Sequence, residues 1–334
     1  MSLTIIKNGI ADSLQDEGRF GYAGYGINPG GVTDRFAARI ANFLVGNKAN
    51  ATIMEMHFPG PQILFEQNAL ISITGADMQP TINGEPVDCW RPLMIRKNSL
   101  LQFSKLASGA WAYMSVHGGF EGKEWLGSIS TNIKAGAGGW MGRHLQKGDE
   151  LPFGEMHIYY PVLLSDEQSW IGLPWKVDIS DTYQNGREIF VLKGAEWDSL
   201  KPASQQKFIE GKFTILPSSD RMGYQLKGVT LEKRDTNDMI STAVNFGTIQ
   251  LLSGGQFIVL MSDHQTTGGY PRIANVISAH LPKLAQLKTG DAVQFKIVDI
   301  AFAEELLLAQ QKHLQILQMS CQDQLNKYIC TALI

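Results

Sequence analysis

Leu145-Gln146-Lys147-Gly148-Asp149-Glu150-Leu151-Pro152-Phe153 and Leu287-Lys288-Thr289-Gly290-Asp291-Ala292-Val293-Gln294-Phe295 are degenerate copies of one pattern. In each, a leucine leads into a polar turn closed by Gly-Asp, and a short apolar run ending on phenylalanine follows. Upstream, Asp16-Glu17-Gly18-Arg19-Phe20-Gly21-Tyr22 pairs in the same way with Ser218-Ser219-Asp220-Arg221-Met222-Gly223-Tyr224. Between these blocks an apolar strand runs into a polar, glycine-bearing turn: Tyr113–Val116 into His117-Gly118-Gly119, and Ile258–Met261 into Ser262–Gly269. A repeat this long predicts two related domains rather than a solenoid of short units. Chance likeness of two glycine-rich stretches is the competing reading. The back ends of the copies match in length, whereas Arg19 to Met114 exceeds Arg221 to Leu260 by about 56 residues, so the first copy is expected to carry an insertion near residues 70–105. The expected organisation is a first domain over 1–185, a second over 186–300 and a helical extension over 301–334. Their boundary is expected in the polar stretch around Tyr160–Arg187.

The chain around these blocks is mainly β. Gln62–Phe65, Leu70–Thr74, Ala110–Val116, Phe213–Leu216, Thr248–Leu252, Phe257–Met261 and Ala292–Val298 are short, rich in β-branched or aromatic residues, and bounded by turn residues. Glycine, at 34 of 334 residues, supplies many of those turns. Helical spacing is confined to Asp34–Val45, behind a Thr33/Asp34 N-cap and closed by Gly46, to Trp197–Ile209, where Pro202 disturbs the start, and to Ala301–Met319. The class is therefore mainly β with a few helices.

Charge and composition exclude several functions. Lys and Arg number 29 against 32 Asp and Glu, a net charge of −3, which argues against a nucleic-acid binder that must displace phosphate counterions. Three cysteines without CxxC spacing, and seven histidines without HxH or HExxH, point to neither a disulfide framework nor a metal site. Lys134-Ala135-Gly136-Ala137-Gly138-Gly139 is not a P-loop, because its lysine precedes the glycines. Gly24-x-Gly26 lacks the third glycine of a dinucleotide fingerprint. No stretch approaches a membrane span and residues 1–16 lack the pattern of a secretory signal, so the expectation is a cytoplasmic protein that engages no membrane.

Two polar runs carry the candidate chemistry. Gln15–Asp34 gathers Gln15, Asp16, Arg19 and Asp34 among residues that turn tightly, in a segment too long for a passive link. Its arginine offers a planar fork to carboxylate, phosphate or carbamate oxygens, and the same residues equally make a structural Asp16–Arg19 pair. Ser262–Pro271 presents Asp263, His264, Gln265, Thr266 and Thr267, then Gly268-Gly269-Tyr270, directly after an apolar strand. That is a place for a small polar ligand, with Asp263 or His264 as a candidate base, and equally a side-chain-bonded hairpin. Asp220-Arg221 is the second copy's counterpart of the Asp16–Arg19 cluster. Gly138–Arg143 adds backbone N–H groups and the Arg143 guanidinium as an anion site, a stretch that loop geometry explains as well.

Gln15-Asp16-x-Gly18-Arg19-x-Gly21, Gly30-Gly31-x-x-Asp34 and Ala41-Asn42-x-Leu44-Val45-Gly46-Asn47 resemble the opening of the allophanate hydrolase subunit 2-like family. This family is also called biotin-dependent carboxyltransferase-like or KipA-type. The likeness continues through Glu55, Gly60-Pro61, Thr74-Gly75-Ala76, Gly118-Gly119 and Gly127-Ser128-x-Ser130-Thr131. In the second half it takes in Ser219–Tyr224, Gly247-x-Ile249-Gln250, Asp263-x-Gln265–Pro271 and Ala285-Gln286-Leu287-x-x-Gly290-Asp291, so it covers roughly residues 4–300. Departures are Leu252-Ser253 where the family usually has a proline, and Gly26–Gly31 where it usually reads Gly-x-Pro-x-Ser-Gly. The helix after Asp299 lies outside the resemblance.

The resemblance implies two tandem cyclophilin-like β-barrel domains with a substrate cleft between them. It implies a subunit of an ATP-dependent 5-oxoprolinase complex that opens 5-oxo-L-proline to L-glutamate, with a B-type (KipI-like) chain and an A-type chain as partners. The alternatives it carries are a biotin-dependent carboxyltransferase component of the urea carboxylase kind and a KipA-type regulator of a KipI-like partner. No cofactor motif is recognisable on the chain: ATP is consumed by the complex, and biotin enters only under the first alternative. The expected catalytic residues are Asp16, Asp263 and Gln265. The expected substrate-binding residues are Gln15, Arg19, Asp34, Arg143, Asp220, Arg221, Tyr224, Thr266, Thr267, Gly268, Gly269 and Tyr270, and no metal ligands are expected.

Overall fold

The repeated turn folds the same way in both copies. In a computed structural model describing residues 1–154, 168–183, 187–234 and 239–332, Gly148 and Gly290 adopt φ of +88° and +89°, a region open to glycine. The Asp149 and Asp291 carboxylates accept from the Gln146 and Lys288 N–H groups at 2.8 and 2.9 Å. The Gly148 N–H donates to the Ile5 carbonyl (2.8 Å) and the Gly290 N–H to the Ile215 carbonyl (2.9 Å). Of the expected boundary zone, residues 160–167 and 184–186 lie outside the described residues.

The described chain forms two compact units. The first comprises Met1–Gly18, Asp34–Ile179 and Lys312–Ile334; the second comprises Arg19–Thr33 and Ser180–Gln311.

In the first unit the strands form two six-stranded sheets. One runs Glu150–Pro152, Ser2–Lys7, Gln62–Phe65, Leu100–Phe103, Pro80–Ile82, Glu85–Pro86. The other runs Trp170–Gly172, Pro92–Ile95, Ala69–Asp77, Ser108–Val116, Ile53–His57, Ser13–Gln15. The stretch expected as an insertion supplies strands to both sheets, and Ala69–Asp77 is central in the second. Alternate residues such as Leu3, Ile5, Ile63, Phe65, Met54 and Met114 fill the core. The Arg35–Leu44 helix starts where the sequence places it, because Asp34 caps it by accepting from the Ala37 N–H at 3.0 Å. It lies over a polar row rather than an apolar one. Ser72 and Thr74 donate to the Ala41 and Ala37 carbonyls, and the Tyr113 hydroxyl accepts from the Asp34 N–H (2.7 Å) while donating to buried Glu55 (2.9 Å).

The second unit contains a closed barrel in the order Glu188–Lys193, Arg272–Val276, Thr248–Leu251, Phe257–Leu260, Gly223–Lys227, Phe213–Ile215, Ala292–Ile297. Its one parallel pairing, Glu188–Lys193 with Ala292–Ile297, closes the ring. The helix read as Trp197–Ile209 is broken. A 3-10 turn over Trp197–Ser199 is followed by extended Leu200 and Lys201, and the α-helix begins at Pro202, where a missing N–H costs nothing. That helix brings Phe208 to the barrel interior, stacked on Phe295 at 5.1 Å and beside Phe213 and Phe257. The C-terminal helix runs Ile300–Ala332, beyond the helical spacing read over Ala301–Met319 and across the extension expected from 301. Ala303 and Leu306 pack with Ile277, Ala279 and Phe190 in the second unit, and Leu325 packs with Val45, Leu70 and Met94 in the first.

Two outcomes follow from this packing. Phe208→Ala, which empties the centre of the aromatic cluster, is expected to cost about 3–5 kcal/mol in urea unfolding. His280 stacks on Phe190 (4.3 Å) and its Nδ1 accepts from the Phe190 N–H (3.0 Å), so its ring is neutral. Burial, reinforced by the Lys283 charge, pushes its pKa down to about 4 from 6.5. A depressed pKa places this stability above pH 6.5, and it is lost as pH falls from there towards 4. The drop in unfolding midpoint across that window is expected to shrink in His280→Asn.

Candidate functional site

The ladder that pairs Gly223 with Leu260 continues beyond the ends of both strands. The Met261 N–H donates to the Met222 carbonyl (3.0 Å), and the Asp263 N–H to the Arg221 carbonyl (2.7 Å). Arg221 and Asp263 therefore face each other at the barrel rim. The guanidinium grips the carboxylate with both arms, Nε to Oδ2 at 2.8 Å and Nη2 to Oδ1 at 3.0 Å. Two further donors go to the early segment of the same unit: Nη2 to the Gly31 carbonyl (2.8 Å) and Nη1 to Thr33 Oγ1 (3.1 Å). Thr33 Oγ1 lies 3.1 Å from Ser262 Oγ. Arg19, only 2% exposed, comes to the same place. Gly30 has φ +62°, and a Cβ there would lie 3.1 Å from Arg19 Nη1 and 3.7 Å from Asp263 Oδ1. Arg19 and Asp263 thus approach Gly30, next to the Gly31 carbonyl that Arg221 holds.

The Gln265–Tyr270 stretch is tied down separately. Thr267-Gly268 pairs with Thr242-Ala243, and the Val244 N–H donates to the Thr266 carbonyl. Gln265 Nε2 donates to Gln250 Oε1 (3.1 Å), and Gln250 Nε2 to the Tyr270 carbonyl (3.3 Å). His264 is buried, and because a carbonyl only accepts, its Nδ1 carries the proton given to the Gln265 carbonyl at 2.6 Å. Burial lowers its pKa, against the hydrogen bond to the Gln265 carbonyl and the Asp263 charge. Gln265, Thr267 and Tyr270 are exposed, whereas Gly268 and Gly269 are half-buried.

Other expected residues sit differently. Tyr224, expected to bind substrate, points into the barrel core, where its hydroxyl donates to the Ala285 carbonyl (3.1 Å), because alternate residues of Gly223–Lys227 face inward. Asp220 closes a turn by accepting from the Met222 and Gly223 N–H groups. In the first unit, Arg143 is held bidentately by Asp149 at 2.8 Å on both arms. Burial works against the Asp149 charge, but the hydrogen bonds from Arg143, the Gln146 N–H and Trp140, with the Arg143 charge, together hold its pKa below the ordinary value. Gln15 is buried and donates to Ser13 Oγ and the Thr131 carbonyl, and Asp34 is the helix cap. Asp16, expected as a catalytic base, accepts from Ser128 Oγ, Ser130 Oγ, and the Gly18 and Ile129 N–H groups at 2.6–2.8 Å. Three of these donors meet Oδ1 and one, the Ile129 N–H, meets Oδ2, so Asp16 ties the 128–130 loop to the Gly18 turn. Thr33, Ser262 and Gln250 escaped the sequence reading as site residues. Only Gln250 left a signal, as an amide between apolar neighbours in a short strand.

Among the described residues, no helix is long and apolar enough to cross a membrane, and no group of three or more His, Cys, Asp or Glu is arranged to hold a metal ion.

Residues 25–297 match the family model described as carboxyltransferase domain, subdomain A and B. The chain is 36% identical over 294 residues to the C subunit of 5-oxoprolinase from Haemophilus influenzae, covering 88% of this chain and 90% of that one. It is 35% identical over 310 residues to the C subunit of 5-oxoprolinase from Escherichia coli, covering 92% and 94%. Against urea amidolyase of Saccharomyces cerevisiae it is 30% identical over 312 residues, which is 88% of this chain and 16% of that far longer one. Among solved structures, Kluyveromyces lactis urea carboxylase superposes with a TM-score of 0.84 at 26% identity, covering 95% of this chain and 29% of that chain.

Replacing both Ser128 and Ser130 by Ala strips two donors from Asp16. The expected loss is about 1–3 kcal/mol per hydroxyl, read as a lower unfolding midpoint.

Proposed function

The chain belongs to the carboxyltransferase-domain family, subdomains A and B, and from that membership we propose that it is the C-type subunit of an ATP-dependent complex that opens 5-oxo-L-proline to L-glutamate. One observation carries the reading: its 35–36% identity to the C subunits of two 5-oxoprolinases runs nearly end to end in both chains, whereas the urea amidolyases match it with only a fraction of their length. The name of those relatives, a subunit, supports partners of the B and A types.

The Arg19–Arg221–Asp263 cluster is the reaction site in this reading. A lactam is a poor electrophile, and opening it requires activation at the expense of ATP followed by attack of water on the ring carbonyl, with the ring nitrogen leaving as the amine. Arg221 acts on Asp263 rather than on substrate, because four of its hydrogen bonds go to Asp263, Gly31 and Thr33. Asp263, oriented by both guanidinium arms, accepts a proton from the attacking water or holds it in line. Arg19 faces the anionic group of the substrate across the side-chain-free Gly30. Gln265 meets the lactam amide. Asp16, Tyr224 and Arg143 take no part in this chemistry.

A second reading, carboxyl transfer from a biotin carrier on another chain, draws on the urea carboxylase superposition. The two separate cleanly. The chain is purified with its B- and A-type partners and assayed for ATP-dependent glutamate release from 5-oxo-L-proline, and in parallel for carboxyl transfer to urea. Glutamate release supports the first reading; its absence with carboxylation present supports the second. Arg221→Ala and Asp263→Asn are each expected to lower glutamate release at least about 100-fold while the complex still assembles. Full turnover in either variant rules out this site.

A further inference from the structure

The two amides at the site form a hydrogen-bonded chain whose direction is set at one end. The Tyr270 carbonyl can only accept, so the Gln250 atom 3.3 Å from it is Nε2. Gln250 Oε1 then has to face Gln265, and the group it meets at 3.1 Å has to be a donor, Gln265 Nε2. Amide orientation is ordinarily ambiguous, but a backbone carbonyl at the terminus removes the ambiguity. Gln250 is 1% exposed, so water is not at hand to replace either contact. Gly268, whose backbone is paired to Thr242, keeps the Gln250 amide flat against the loop, since a Cβ there would lie 2.6 Å from Nε2. Gln265 itself is exposed, and among the described residues nothing donates to its Oε1.

An unrestrained glutamine offers a ligand either a donor or an acceptor. Here one N–H of Gln265 Nε2 is committed to Gln250, which fixes the amide's orientation and holds Oε1 in place as an acceptor. Resting on the site assignment above, we infer that Gln265 Oε1 accepts a hydrogen bond from a substrate N–H, so that the site selects lactam, amide or ureido compounds over esters, lactones and N-alkylated amides. Gln250 is the positioning residue that enforces the choice. A ring oxygen in place of the N–H sets acceptor against acceptor, and a site built around a hydrogen bond rejects an analogue that lacks it far more strongly than one extra methylene is rejected.

The test compares 5-oxo-L-proline with its isosteric lactone, whose ring N–H is replaced by oxygen, as competing ligands of the assembled complex. Wild type is expected to bind the lactone at least about 100-fold more weakly. Gln250→Met frees Gln265 to rotate and is expected to reduce that ratio below about 10-fold, chiefly by weakening the lactam. Gln250→Glu, kept protonated by burial, donates to the Tyr270 carbonyl and accepts from Gln265, and restores the ratio. A merely structural Gln250 moves both ligands together and leaves the ratio unchanged, which overturns the inference, as does equal binding of both ligands by a wild type that releases glutamate normally. Should wild type release no glutamate, the hydrolase reading fails on its own, and the amide chain is read directly in the full chain labelled with side-chain 15N-glutamine. Slow exchange of the Gln265 amide protons in wild type and Gln250→Glu, and fast exchange in Gln250→Met, upholds the orientation. Equal exchange in all three sinks it.

Discussion

The polar end of the second unit is organised by the ion pair between Arg221 and Asp263. Two nearly buried charges are worth little as a source of stability, because taking them out of water offsets most of their attraction. Their value lies in direction. Both guanidinium arms on one carboxylate fix its plane, and the donors left over on Arg221 draw in the Gly31 carbonyl and the Thr33 hydroxyl, which in turn sits against Ser262. Removing either charge leaves the other uncompensated, a loss of about 3–5 kcal/mol in a buried setting. The Gly30–Thr33 segment and the Ser262–Gln265 segment are therefore held in register by one side chain.

That pair exists because the barrel puts it there. Arg221 and Asp263 are 42 positions apart, and what sets them opposite is the Gly223–Leu260 register carried two steps past the strands. Register in a closed barrel cannot slip by one residue without turning every inward side chain out. The interior that resists such a slip is the Phe208, Phe213, Phe257 and Phe295 cluster. Core packing and site geometry are thus linked through strand pairing, with no direct contact between the phenylalanines and the polar cluster required.

The seven strands read from the sequence all form, because apolar alternation and turn residues are local signals, and so does the duplicated Gly-Asp turn. The arrangement of the first unit as two six-stranded sheets was not legible, since pairing depends on contacts between distant residues. The break at Leu200 was half legible. Pro202 announced a problem but not that the helix proper begins there. The segments that carry the candidate residues were legible, and the contacts that each side chain makes were not. Adjacent Asp and Arg in Asp220-Arg221 suggested one functional pair, yet Asp220 closes a turn and Arg221 reaches past it to Asp263. Gln250 entered only through the Gly247-x-Ile249-Gln250 stretch of the resemblance, and only its neighbours in space show what its amide bonds to.

The two aspartates that looked alike show how acceptor capacity separates a strut from a working group. An ionised carboxylate offers about four acceptor sites. Asp16 accepts from two serine hydroxyls and two backbone N–H groups, three of them crowded on Oδ1, which ties it to the loop around it. Asp263 has two filled, both by the same arginine, and its side chain keeps 20% of its surface accessible. The remaining two sites lie on a carboxylate whose orientation is already fixed, so a ligand or water that meets them loses little further freedom. Gln265 follows the same arithmetic, with one of its two N–H donors used on Gln250 and its Oε1 left over in a fixed orientation. What a site can recognise is thus set by which hydrogen-bonding valences the fold has already used.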